Sequence, residues 1–233
     1  LVKNIKNLKY ILRGKNMNSY KLFNYDTDVF NFKETVEKIM GVGQLDMIHE
    51  VFKFPEKLEI MKDQKTILHD KFYEGIKKDE FNSMYKKFVR NFVSKLEMFK
   101  DEKILYQTFP TFRIHQPNNI AVSEYHKDSD FGHNTHELNF WLPFTDAWGT
   151  NTVWVGDPNS NNHECMEVKY GEVANFDGAN TLHGNKDNLT GKSRLSIDFR
   201  LFPMKYYDEG EQEEAVTGAI KKRLVIGDYW TAL

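Results

Sequence analysis

The stretch SRLSIDFRLF, residues 193–202, alternates strictly: Leu195, Ile197, Phe199 and Leu201 fall on one side, Arg194, Ser196, Asp198 and Arg200 on the other. A period of two is the mark of a β-strand, and so regular a run fixes which side meets an apolar layer. The opposite side carries two guanidinium groups, a carboxylate and a hydroxyl. On an arbitrary strand that side looks into water. Here it lies just downstream of His183, in NTLHGNKDN. An arginine with a serine two residues on suits a buried carboxylate, because the guanidinium grips both oxygens and the hydroxyl adds a third hydrogen bond. The polar side is therefore read as the inside of a barrel.

Upstream, SEYHKDSD places His126 and Asp128 two residues apart. As a strand, that segment sends both side chains from the same face. One imidazole and one carboxylate on one face are two of the three ligands of a facial triad, which leaves the opposite positions of the metal open. His183 is the candidate third ligand. His133 and His136 compete with His126, but neither has a carboxylate two residues downstream. His133 is read as a lid or substrate-contact residue in a loop at the mouth of the site, and His136 as the start of a strand. His163 and Cys165 fall in the turn-rich GDPNSNNHECM and are assigned to a solvated loop; His49 and His69 are read as structural.

His126-x-Asp128, a distant His183 and then Arg194-x-Ser196 resemble the signature of the iron(II)- and 2-oxoglutarate-dependent oxygenases. Within that superfamily, LNFWLPFTDAWGTNTVWV, KYGEVANFDGANTLHGN and GKSRLSIDFRLF most resemble the StrG-like group, distantly similar to phytanoyl-CoA hydroxylases; the resemblance covers roughly residues 105 to 205. It implies a mainly β fold with supporting helices (α+β), in which a double-stranded β-helix, a jelly-roll or cupin-like barrel, is buttressed by N-terminal helices. It implies Fe(II) on His126, Asp128 and His183, with 2-oxoglutarate and O2 on the remaining positions. Arg194 and Ser196 then bind the distal carboxylate of the cosubstrate, and Asn139 is a hydrogen-bonding partner beside it. The implied reaction is hydroxylation or another oxidation of a small polar, or sugar-containing, metabolite with release of succinate and CO2. Asp128 favours this over halogenation, since halogenating relatives carry a small residue there. Arg113, His115, His133 and Arg200 are candidate substrate contacts, and structural hydrogen bonds account equally well for Arg113 and His115. Two other readings stand beside this one: a cupin-like sugar isomerase or epimerase without iron, and a non-catalytic ligand-binding barrel.

A chain of 233 residues with 40% hydrophobic content is long enough for one well-filled core. The expected organisation is an extension over 1–17 and a single oxygenase domain over 18–233. That domain is helical over about 28–100, a β-barrel over about 103–205 and a helical tail over about 211–233. Phe81, Tyr85, Phe88, Phe92, Leu96 and Phe99 recur every three or four residues and predict one long amphipathic helix from Asp79 to Phe99, packed on the barrel or serving a dimer. A net charge of −2 supplies no global field for nucleic acid or an acidic membrane. No apolar run is long enough to cross a bilayer. One cysteine forms no internal disulfide, which fits a cytoplasmic setting. The expected partner is a small molecule, and the expected state is a monomer or homodimer.

Overall fold

The structure is a computed structural model that describes residues 19–54, 58, 65–121, 125–157, 162–210, 214–217 and 220–233. The expected extension over 1–17 lies outside these residues. Along the chain, β1 (Tyr20–Asn24) precedes the helices α1 (Phe32–Met40), α2 (Ile48–Val51), α3 (Ile67–Gly75) and α4 (Glu80–Asn91). The strands β2 (Ile104–Gln107), β3 (Thr111–His115), β4 (Leu138–Pro143), β5 (Trp154–Gly156), β6 (His163–Cys165), β7 (Glu172–Phe176), β8 (His183–Gly184) and β9 (Arg194–Pro203) follow. β10 (Glu214–Thr217), β11 (Ile220–Arg223) and β12 (Trp230–Ala232) close the chain.

β9 is the spine of a seven-stranded antiparallel sheet in the order β1-β7-β4-β9-β2-β12, with β3 also paired to β9. A second, three-stranded sheet runs β6-β5-β8. Leu195, Ile197, Phe199 and Leu201 of β9 are fully buried, sharing one core with Phe140 and Leu142 of β4 and with Phe81, Tyr85, Phe88 and Val89 of α4. Ring contacts join the layers. Phe140 stacks on Phe199 at 5.5 Å, Tyr85 meets Phe199 edge-on at 5.4 Å, and Phe72 of α3 stacks on Phe112 of β3 at 4.3 Å. Such aromatic pairs each contribute about 0.5–1.5 kcal/mol beyond the area they bury. The helices therefore cover the apolar side of the large sheet, leaving its polar side for the site. Among the described residues no helix is long and apolar enough to cross a membrane.

Two expectations are corrected. The helix from Asp79 to Phe99 stops at Asn91 and continues as two 3-10 turns, Val93–Lys95 and Glu97–Phe99. Ser94 Oγ donates to Arg90 O at 2.6 Å and Leu96 turns extended, so local hydrogen bonding competes with the helical ladder. Phe92, Leu96 and Phe99 nevertheless stay buried, because the apolar spacing decides burial and not helix length. The described residues of the tail are not helical: β10 and β11 pair as a hairpin, and Ala215 and Leu224 pack with Leu105, Phe202, Tyr229 and Trp230. Helix formers in EEAVTGAIKKRL yield to that tertiary cluster, aided by Thr217 and Gly218, which are poor helix residues. β1, which the sequence reading did not anticipate, lies ahead of the helical segment and adds to the edge of the sheet at β7.

His69 of α3 is buried between the Thr66 hydroxyl, 2.9 Å from Nδ1, and the Phe112 ring. Burial, with the Arg113 charge, lowers its pKa from 6.5 to about 4, and burial next to Arg194 lowers that of His115 to about 3. Below pH 6.5 the unfolded chain takes up protons that the folded chain refuses. Stability is therefore expected to fall between pH 7 and pH 5 by about 2 kcal/mol for each of these two histidines. Urea unfolding at the two pH values checks this, and His69→Gln should remove about half of the difference.

Candidate metal centre

β8 is only two residues long, and it meets the chain at His126 through one antiparallel bridge. His126 N–H donates to His183 O at 2.9 Å and His183 N–H to His126 O at 3.0 Å. That exchange sets the two imidazoles side by side, ring centroids 4.5 Å apart. The expected continuous strand through His126 and Asp128 is not formed. Asp128 instead opens a 3-10 turn, Asp128–Phe131, with its N–H on Gly178 O at 2.9 Å. Asp130 accepts from the Lys127 N–H at 3.1 Å and Gly132 closes the turn at φ 87, so the side-chain cap overrides extension. The carboxylate reaches the histidines because the chain bends.

One ligand atom from each of His126, Asp128 and His183 lies within 4.8 Å of the others. Asp128 Oδ1 is 3.5 Å from His126 Nε2 and 3.6 Å from His183 Nε2. His183 Nδ1 donates to the Thr181 carbonyl at 3.0 Å, so the proton sits on Nδ1 and the Nε2 lone pair faces the carboxylate. Burial lowers the pKa of His183 against the pull of Asp128, which keeps the ring neutral. Burial works to raise that of Asp128, but the Arg200 guanidinium holds the carboxyl well below the usual carboxylate range. One nitrogen from each imidazole and one carboxylate oxygen thus converge on one point. That donor set fits a divalent ion of the imidazole-and-oxygen class with its other positions open.

Asp128 Oδ2 faces away from the histidines. It accepts from Asn139 Nδ2 at 2.6 Å and from Arg200 Nε and NH2 at 3.2 and 2.7 Å. Asn139 was expected beside the cosubstrate; its amide instead supports the carboxylate while still lining the cavity. Gly178 makes that contact possible, since a Cβ there would stand 2.6 Å from Asn139 Nδ2 and 2.9 Å from the Phe176 ring. Gly178→Ala is therefore expected to push the amide off Oδ2 and weaken metal binding by about tenfold, a loss typical of groups that support a ligand. Metal titration followed by thermal shift reads that change.

Arg194, 1% exposed, donates from Nε to Asn151 O and from NH1 to Ser196 Oγ, both at 3.0 Å, with its guanidinium 5.4 Å from the Trp141 ring centre. It lines the same cavity as the three candidate ligands. Arg113 and Asp198 also line it, but they face each other at 2.8 Å. The expected role of His115 at the substrate is not what its surroundings provide: the ring is fully buried, with Nε2 against Asn119 O at 2.9 Å. The lid reading of His133 is likewise corrected. Its buried ring lies 2.8 Å from Glu137 Oε2 and 3.2 Å from Val216 O, fastening the Asp128 turn to β10. His136 is exposed before β4 and stacks on Tyr206 at 3.8 Å. The sequence reading missed Asn151, Gly178 and Tyr229; only Gly178 had a signal, as half of an Asp-Gly turn.

The streptomycin biosynthesis protein StrG of Streptomyces griseus is 34% identical over 214 residues, 92% of this chain and 98% of that protein. The chain belongs to the StrG family. No established family profile matches the StrG-like chain. Among solved structures, the non-haem alpha-ketoglutarate-dependent carbocyclase SnoK from nogalamycin biosynthesis aligns over 92% of each chain with a TM-score of 0.53 at 9% identity, a likeness of fold.

Proposed function

We propose that this StrG-like chain is an Fe(II)- and 2-oxoglutarate-dependent dioxygenase that hydroxylates, or otherwise oxidises, a small polar metabolite. The observation that carries this reading is the convergence of His126 Nε2, His183 Nε2 and Asp128 Oδ1 in a cavity that Arg194 also lines. We take residues 18–233 as one oxygenase domain, and the two sheets as the faces of a double-stranded β-helix. In that fold the polar side of β9 looks inward and its apolar side rests on the helices.

The iron, when bound, supplies oxygen activation: one atom of O2 enters succinate as 2-oxoglutarate loses CO2, and the other enters the product. The chain's own residues do the rest. The two imidazoles and Asp128 Oδ1 would hold the ion from one side of the cavity. Arg194, steadied by Asn151 O and Ser196 Oγ, orients the distal carboxylate of 2-oxoglutarate. Trp141, Val153 and Phe176 make the adjoining wall apolar and limit water there. Arg113 and Asp198 offer a polar wall to a hydroxylated substrate, the donor from one and the acceptor from the other.

The test is to load the protein anaerobically with Fe(II) and 2-oxoglutarate, admit O2 with a panel of sugars and other polar metabolites, and follow succinate and product mass. Iron-dependent succinate with a product one oxygen heavier supports the proposal. Turnover without iron points instead to the isomerase reading.

A further inference from the structure

Arg200 was expected to touch substrate, but the contacts around it favour a different task. We propose, building on the iron reading above, that Arg200 is a positioning residue which, with Asn139, keeps Asp128 a one-oxygen ligand. A carboxylate offers two oxygens and readily chelates an ion through both. Here Oδ2 accepts three N–H groups, at 2.6, 2.7 and 3.2 Å, while only Oδ1 faces the histidines. Turning Oδ2 toward the ion would strip it of a charge-assisted pair in a site where Asp128 and Arg200 are both buried. Arg200 has little freedom to follow such a turn. Glu137 Oε2 stands 3.5 Å from its Nε, Asp198 Oδ2 3.9 Å from NH1, and Tyr229 Oη 3.4 Å from NH1.

The consequence concerns how many positions the metal has to offer. Three protein atoms and two from 2-oxoglutarate leave one position of an octahedron for O2. A second bond from Asp128 would take it. Arg200 thus acts on the ion through Asp128, by denying it one oxygen.

Co(II) serves as the probe, since its visible absorption reports coordination number. Wild-type protein should bind Co(II) through one carboxylate oxygen. Arg200→Lys, which keeps the charge and loses the fork, and Asn139→Ala, which leaves Arg200 in place, should each bind Co(II) about 10- to 100-fold more weakly and change the spectrum as a second carboxylate oxygen replaces another donor. Unchanged Co(II) affinity and spectrum in both variants, with a raised KM for substrate in Arg200→Lys, would overturn the proposal and restore the substrate-contact role. Wild-type protein that takes up neither Co(II) nor Fe(II) would overturn the iron reading itself, a different failure from that of Arg200.

Discussion

Asp128→Ala is expected to abolish metal uptake and turnover together and to destabilise the fold as well. The first effect follows from losing the anionic donor that lies between the two imidazoles. The second comes from Arg200, which is 6% exposed and would lose the carboxylate it contacts through two nitrogens. Removing one partner of a buried pair typically costs about 3–5 kcal/mol, because the other charge stays behind. Glu137 and Asp198, at 3.5 and 3.9 Å from the guanidinium, offset part of this and place the expected loss near the lower end. His126→Ala makes the matched control. It removes a ligand whose side chain is 17% exposed and strands no charge, so metal uptake should vanish with little change in urea midpoint. Iron uptake persisting in both variants would refute the metal assignment.

Arg194→Ala should leave metal uptake intact and raise the half-saturating concentration of 2-oxoglutarate steeply. A desolvated guanidinium–carboxylate pair is worth about 2–5 kcal/mol on truncation, or roughly 30-fold to several thousand-fold in affinity. Turnover at saturating cosubstrate should be much less affected. Arg194→Lys keeps the charge but cannot fork, so it should fall between wild type and alanine. The measurement is succinate formation against 2-oxoglutarate concentration at fixed iron. An unchanged half-saturation in Arg194→Ala would mean that the distal carboxylate is held elsewhere.

Much of this arrangement was legible in the sequence where a local pattern and the tertiary demand coincide. The alternation of β9 is the clearest case, since the same period that makes it a strand also separates Phe199 from Arg200. The three candidate ligands were legible as residue types at fixed spacing, but their geometry was misread. His126 and Asp128 do not share a strand face; the Asp130 cap and Gly132 bend the chain between strand and turn. His133 looked like a free histidine at the mouth because its partners, Glu137 and Val216 O, include a backbone atom 83 residues away. The tail failed for the same reason. Local propensity mostly favours a helix over EEAVTGAIKKRL, and the distant Leu105, Phe202 and Trp230 tip it to a hairpin.

Under the proposed function, the ten residues of β9 join three tasks in one segment: gripping the cosubstrate with Arg194, steadying the candidate ligand Asp128 with Arg200, and filling the apolar core. If this strand slipped by a single residue against β4, Phe199 would be driven into the cavity and Arg194 and Arg200 into the aromatic layer under the helices. Such a mispaired chain would lose its core in the same event that scrambled its chemistry. Misfolded molecules of this kind should therefore behave as unfolded protein and not persist as folded but inert ones, because core and cavity share one alternating strand.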